Sequence, residues 1–286
     1  MEISIVTCVR NQDPILFQEC ADSVANQDEN LEWIIIDDLS SSESIARYQD
    51  VISSLPSRVD AKLVCSDTWR GLAGARNTGI ALATGNWTVI LDSDDRLANG
   101  LASRLLALSK NTTLACFEVN YFDEEINEHR RIRKFERLFR DHAGTALDPF
   151  LWYDFYYHGI LVRREILLRI GGYLKSLTVG EDQDVLLRAV EAVDPDSIVF
   201  IHTTGYEYRR NPKGICNTKW SDVLTNYTST MLEAASRRGA SFVACRFGGV
   251  EYIDGASIDS YEYETPEGHW YSWHDWYQEV ANAEKR

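Results

Sequence analysis

The chain has 286 residues, 44% of them hydrophobic, and sets 29 Lys and Arg against 44 Asp and Glu for a formal net charge of −15. Such content suffices for one large α/β domain with a smaller appendage and excludes a disordered chain, while the negative field argues against nucleic acid as a partner. No apolar run approaches the roughly 20 residues that span a bilayer, and the opening Met1-Glu2-Ile3-Ser4 lacks the basic stretch of a targeting signal, so a cytoplasmic location without a transmembrane segment is expected. In chain order, strand-like runs fall at Ile3 to Val9, Trp33 to Ile36, Lys62 to Cys65 and Trp87 to Leu91. Helical patterns separate them. Ile15 to Ala25 carries Leu16, Cys20 and Val24 on one face, Ser44 to Leu55 follows a serine-rich turn able to cap it, and Ala73 to Ala83 consists of small residues that let a helix sit close to a sheet. This alternation predicts a mostly parallel sheet wound by crossover helices.

Further along, strands are predicted at Thr113 to Val119, near Gly159 to Val162, at Ile198 to His202 and at Tyr206 to Tyr208. Helices are predicted from Arg164 to Ile170, stopped by Gly171-Gly172, and from Glu181 to Val193. From about Trp220 the sequence turns acidic and aromatic. The expected organisation is a domain over residues 1–219, with halves 1–95 and 96–219, and a C-terminal extension over 220–286.

The six cysteines are scattered, with no C-x-x-C and no Cys/His spacing suited to zinc, so buried free thiols are expected. Sequons at Asn86, Asn111 and Asn226 matter only in a secretory compartment, and nothing else in the sequence points to one.

Ligands of open α/β sheets bind beyond the carboxyl ends of the strands. Arg10-Asn11, Asp37-Asp38 and Asp92-Ser93-Asp94-Asp95 each follow a strand-like run, so they are expected to meet on one edge. The last places three carboxylates in four positions, an arrangement that suits Mg²⁺ or Mn²⁺ and, through the metal, a diphosphate. An isolated cluster of this kind is more often a solvated turn. Glu181 and Asp182 open a helix, where the dipole favours negative charge. Good capping explains them, and so does a general base for an acceptor hydroxyl. Arg70 to Asn77 joins a Gly-containing loop to a helix start and offers two arginines to phosphate or ribose oxygens. It matches neither a P-loop nor a dinucleotide fingerprint, which weakens kinase and dehydrogenase readings.

The ordered succession Ser4 to Asn11, Ser23 to Gln27, Ile36 to Ser40, Gly71 to Asn77, Ala83 to Gly85, Leu91 to Asp95 and Gly180 to Asp182 resembles the family-two glycosyltransferases of the GT-A fold. The likeness covers roughly Ile3 to Gly214. It implies a nucleotide diphosphate sugar as donor, a divalent metal, Mn²⁺ or Mg²⁺, and inversion at the anomeric centre by direct displacement. It implies that Thr7, Val9 and Asn11 line the base pocket, that Asp38 bonds the base, uracil being the one expected, and that Arg76 contacts diphosphate or ribose. Asp92 would support the turn or the donor, Asp94 would face ribose or metal, and Asp95 would hold the metal. Asp182 would be the general base, with Glu181 beside it on the acceptor or sugar. Two departures stand out. The aromatic that commonly stacks on the base is replaced by Arg10, and the Tyr208 to Gly214 segment lacks a common histidine.

Two features lie outside these motifs. His129 to Arg140 carries six basic residues, read as a solvated helix face or, alternatively, a lid or acceptor contact. Trp270, Trp273 and Trp276, with Tyr271 and Tyr277, are spaced for one side of a terminal helix that packs on the main domain or offers a platform for a sugar or a partner. Rival functions are a nucleotidyltransferase of related fold, which would release diphosphate, and a catalytically silent nucleotide-sugar-binding scaffold, which should have lost the carboxylates that this chain keeps. Saccharide, lipid-linked, protein and small-metabolite acceptors all fit the sequence.

Overall fold

The computed structural model describes residues 1–122, 127–130 and 157–209, together with scattered positions between 136 and 144 and between 226 and 272. The first half alternates as expected: β1 (Ile3–Val9), α1 (Pro14–Ala25), β2 (Leu31–Asp37), α2 (Ser42–Ser53), β3 (Val59–Cys65), α3 (Gly71–Leu82) and β4 (Trp87–Ile90). Asp13 caps α1 by accepting from the amides of Ile15 and Leu16, and Ser41 caps α2 through Ser44. Strands pair in the order β3-β2-β1-β4, all parallel.

Beyond β4 come β5 (Arg96–Leu97), α4 (Leu101–Leu106), β6 (Leu114–Phe122), β7 (Asn127–Arg130), β8 (Ile160–Arg163), α5 (Arg164–Arg169), α6 (Glu181–Glu191) and β9 (Ile198–Arg209). They extend the same sheet as β4-β8-β6-β9-β5, with β7 paired to β6. Here β8 runs antiparallel to both neighbours and β6 and β9 are parallel, so the added half is mixed. The two short strands expected at Ile198 to His202 and Tyr206 to Tyr208 are one, β9. Its polar middle shifts register against β6 on either side of Glu118, and Gly205 passes so close that a Cβ would lie 2.6 Å from Phe117. Only glycine lets the strand continue there.

Helices cover both faces. On one side Phe17, Cys20 and Val24 of α1 and Tyr48 of α2 pack on Ile3, Ile5, Leu31 and Trp33. On the other, Ala73 and Ile80 of α3 join Ile166 of α5 and Leu186 of α6, while Ala75 meets Ile34 and Ile36. The small residues of α3 have the expected effect. A Cβ on Gly79 would stand 2.2 Å from the Val6 side chain, so the helix lies almost on the strand.

The basic run is not one helix: His129 and Arg130 belong to β7, whereas Glu136, Phe139 and Arg140 are helical. Arg140 donates to the carbonyls of Pro195 and Ile198 at 2.9 Å, fastening this segment to the start of β9. Trp270 also departs from the expected helix, lying in a strand (Trp270–Ser272) that pairs with Glu262–Glu264. Trp273, Trp276 and Tyr277 lie outside the described residues, as does the expected boundary near 219 and 220. Part of the extension packs on the main body all the same, for Ala234 is buried in the α3 side core and Arg237 pairs with Glu191 of α6 at 2.7 Å.

Candidate active site

The carboxyl ends of β1, β2 and β4 do bring their polar clusters to one edge. In the loops after β1 and β2, the Asn11 amide donates to Ser40 Oγ at 2.8 Å and Asn11 Oδ1 accepts from the Ser41 amide at 2.8 Å. Asp38 is buried, and its two carboxylate oxygens accept from the amides of Arg70 and Gly71 at 2.9 and 3.0 Å. That carboxylate therefore caps α3, whose own N-cap side chain makes no such bond. Thr7 and Val9 turn their side chains into the core on the α1 side. Thr7 Oγ1 accepts from Trp33 Nε1 at 2.9 Å, so these two residues can offer a ligand only their backbone.

Arg76 is the hub. Nearly buried on α3, it donates to Glu181 Oε1 and to Asp92 Oδ1, both at 2.7 Å, and lies over the Tyr173 ring at 5.2 Å. Both terminal nitrogens are thus committed to carboxylates, joining α3, the acidic turn and the start of α6. A buried charge needs such partners. Glu181 is correspondingly enclosed, while Asp182 in the same first turn keeps partial exposure and lines a cavity of about 40 Å³ with Arg76, Thr88, His158 and Tyr173.

Within the acidic turn the carboxylates are pushed in opposite directions. Burial opposes ionisation of Asp92, but Arg76 and His158 overcome it and hold the carboxyl well below its usual range. For Asp95, burial and the neighbouring Asp94 carboxylate raise the pKa well above normal. Its oxygens accept from Tyr206 Oη at 2.8 Å and from the Arg209 amide at 2.6 Å, and Tyr206 Oη in turn accepts from the Asp92 amide at 3.1 Å. One phenol therefore fixes both ends of the turn.

His158 was not singled out from the sequence. It sits in a 3-10 turn just before β8, with Nε2 3.1 Å from Asp92 Oδ2 and its ring 5.3 and 4.9 Å from those of Tyr206 and Tyr208. Burial depresses its pKa, but Asp92 and Asp95 outweigh that and lift it to about 9. Gly159 permits this placement, since a Cβ there would come within 2.7 Å of the Phe117 carbonyl oxygen. The adjoining glycine was the one local signal of a close approach.

Ligand atoms of Asp92, Asp95 and His158 lie within 4.8 Å of one another. Asp94, expected to hold metal with Asp95, is half-buried and stands outside that trio. The donor set fits a hard divalent cation: one buried carboxylate, Asp95, beside two half-buried ones, held in a conflict of charge that a cation would relieve. Among the described residues, Arg76 Nε, Thr88 Oγ1 and His158 Nδ1 are buried without a protein partner, and all three residues line the same cavity. Arg209, in the Tyr-Arg segment, spends its guanidinium on Glu19 and on the Asp94 carbonyl. Residues 210–214 lie outside the described residues, and no described helix is long and apolar enough to cross a membrane.

A GT-A fold in which Arg76 ties an acidic turn to a second acidic helix start defines a glycosyltransferase architecture. The chain belongs to glycosyl transferase family 2, whose model matches residues 4–171. Among its relatives, the O-antigen biosynthesis protein RfbC of Myxococcus xanthus is 27% identical over 66% of this chain, and the chain spans 14% of that protein. The glucosyl-dolichyl phosphate glucuronosyltransferase of Haloferax volcanii is 25% identical over 79% of this chain and 72% of its own length. In fold, the chain is similar to S. aureus TarS 1-349 in complex with UDP-GlcNAc, with a TM-score of 0.62 at 16% identity over 83% of this chain and 69% of that one. It is also similar to the mannosyltransferase PcManGT from Pyrobaculum calidifontis in complex with GDP-Man and Mn²⁺, with a TM-score of 0.59 at 20% identity over 82% and 64% of the two chains.

Proposed function

We propose that this chain transfers a sugar from a nucleoside diphosphate donor, UDP being the expected nucleotide, to an acceptor hydroxyl with inversion at the anomeric carbon. The observation that carries this reading is the meeting of the acidic turn and the start of α6 around Arg76, which sets Asp182 and His158 on one cavity wall. Asp182 is the general base. It takes the acceptor proton as that oxygen attacks the anomeric carbon and the bond to the diphosphate breaks. Glu181 and Asp92 act through Arg76 as positioning residues, fixing the guanidinium between the two acidic segments.

Asp92, Asp95 and His158, with Asp94 at the rim, would hold Mn²⁺ or Mg²⁺, which when bound offsets charge on the departing diphosphate. Asp38 and Asn11 hold the rim where the base would lie. Residues 1–95 serve the donor and 96–219 the acceptor, with 220–286 a C-terminal extension. The relatives' names favour a saccharide or lipid-linked acceptor over a protein or small metabolite, and the cytoplasm is the proposed compartment.

The test is a product assay on a panel of nucleotide sugars with Mn²⁺. Release of nucleoside diphosphate, lost on chelation, supports the transferase. Inorganic pyrophosphate appearing from nucleoside triphosphate and sugar phosphate would instead mark a nucleotidyltransferase.

A further inference from the structure

Trp69 is more than half exposed, at 58%, although a tryptophan ordinarily buries most of its large apolar surface. It is not a loose side chain. The Arg10 guanidinium, from the loop after β1, lies over its ring at 4.1 Å, a cation–π stack between two separate loops. The amides of the next two residues, Arg70 and Gly71, are both bound by Asp38, and Arg70 Nε donates to Ser66 Oγ at 3.1 Å. Trp69 is therefore pinned on its C-terminal side by the carboxylate at the end of β2.

The surrounding loops are equally fixed. Among the described residues, Asn11 and Leu39 are the non-glycine residues with positive φ, at 49° and 69°, and they follow Arg10 and Asp38 directly. Such backbone strain persists only where neighbours hold it, and here the Asn11 bonds to Ser40 and Ser41 do so. Three loops thus converge to present one aromatic plane that is backed by a cation on one face and open to solvent over most of its surface.

We infer that Trp69, braced by Arg10, is the plane on which the donor's nucleobase stacks, and hence an affinity-determining element of the site. This rests on the nucleotide-sugar reading proposed above. A nucleobase is a flat π-system, and stacking on an aromatic side chain recognises its face whatever its edge carries. Asp38 binds the amides of the two residues that follow Trp69 and so fixes the backbone from which the ring projects. An acceptor sugar would also stack on tryptophan, but Trp69 lies in the loop between β3 and α3 and is not among the residues that line the cavity with Asp182.

Calorimetry with UDP and with ribose 5-phosphate, both in Mn²⁺, on the wild type, Trp69→Ala, Trp69→Phe and Arg10→Ala tests this. Base–aromatic stacking predicts that Trp69→Ala weakens UDP about tenfold or more, that Trp69→Phe restores most of the affinity, and that ribose 5-phosphate is indifferent to all three changes. Arg10→Ala should fall between. Equal weakening of UDP and ribose 5-phosphate would mean a merely structural role and overturn the inference, as would UDP binding that ignores Trp69→Ala. Absence of UDP binding by the wild type would strike the proposed function itself.

Discussion

The two ends of the parallel strands β3-β2-β1-β4 both bury carboxylates, to opposite effect. At the amino end, Glu32 is 1% exposed and every neighbour is a donor: Ser4 Oγ at 2.6 Å, the Thr84 amide at 2.8 Å, Thr84 Oγ1 at 3.0 Å and Lys62 Nζ at 3.1 Å. Burial alone would raise its pKa, but these bonds pull it down to about 2. At the carboxyl end, Asp92, Asp94 and Asp95 share one turn, and Asp95 is driven the other way. The same functional group stabilises a fold where donors outnumber charges and is left in conflict where charges outnumber donors. Stability lives at one edge, and the proposed chemistry at the other.

That contrast can be broken at several points, beginning with the largest effect. Asp182→Asn should lower kcat by about 10²- to 10⁴-fold, the worth of a general base, with its melting temperature close to wild type. Steady-state rates beside a thermal melt check both halves. Arg76→Ala leaves Glu181 buried without its cation and Asp92 with His158 alone, and should destabilise the fold by about 3–5 kcal/mol. Arg76→Lys should recover little of it, since a single ammonium cannot reproduce two directed guanidinium bonds. Urea denaturation of the two variants decides this.

Glu32→Gln at the opposite edge should cost about 3 kcal/mol at pH 7, by the size of the pKa shift, yet leave kcat unchanged. The pH dependence follows from the sign. A folded pKa of about 2 against an ordinary 4.5 gives stability that is complete above 4.5 and fades as pH falls toward 2. Wild type and Glu32→Gln should therefore converge in acid. A constant gap between their denaturation curves from pH 7 to pH 2 would show that Glu32 acts by packing instead of charge.

The stable edge and the reactive edge differ also in how far sequence reveals them. Strands β1 to β4 and the helices between them are legible because each is a local pattern of period 2 or 3.6 bounded by turn residues. Asp38, Arg76, Asp92 and Asp182 stand out through ordered motifs. His158 does not, because its partner Asp92 is 66 residues away and no spacing rule links them. Tyr206 reads as one more strand aromatic, although it fixes the acidic turn. Glu32 looks like a polar residue at a strand start, and only the folded sheet brings Ser4, Lys62 and Thr84 around it. The merged strand β9 was hidden by its polar middle, which a register shift accommodates. Trp270 followed a helical spacing, yet it lies in a strand that pairs with Glu262–Glu264.

The central claim is that the acidic turn binds a divalent cation together with a nucleotide sugar. Its most direct test is calorimetric titration of UDP-sugars into the wild type in Mn²⁺, in Mg²⁺ and in chelator, repeated on Asp94→Asn, whose half-buried position lets the variant fold. Binding of one donor that requires the cation and is lost in Asp94→Asn is the result expected. Equal affinity with and without chelator, or no binding of any donor, would contradict it.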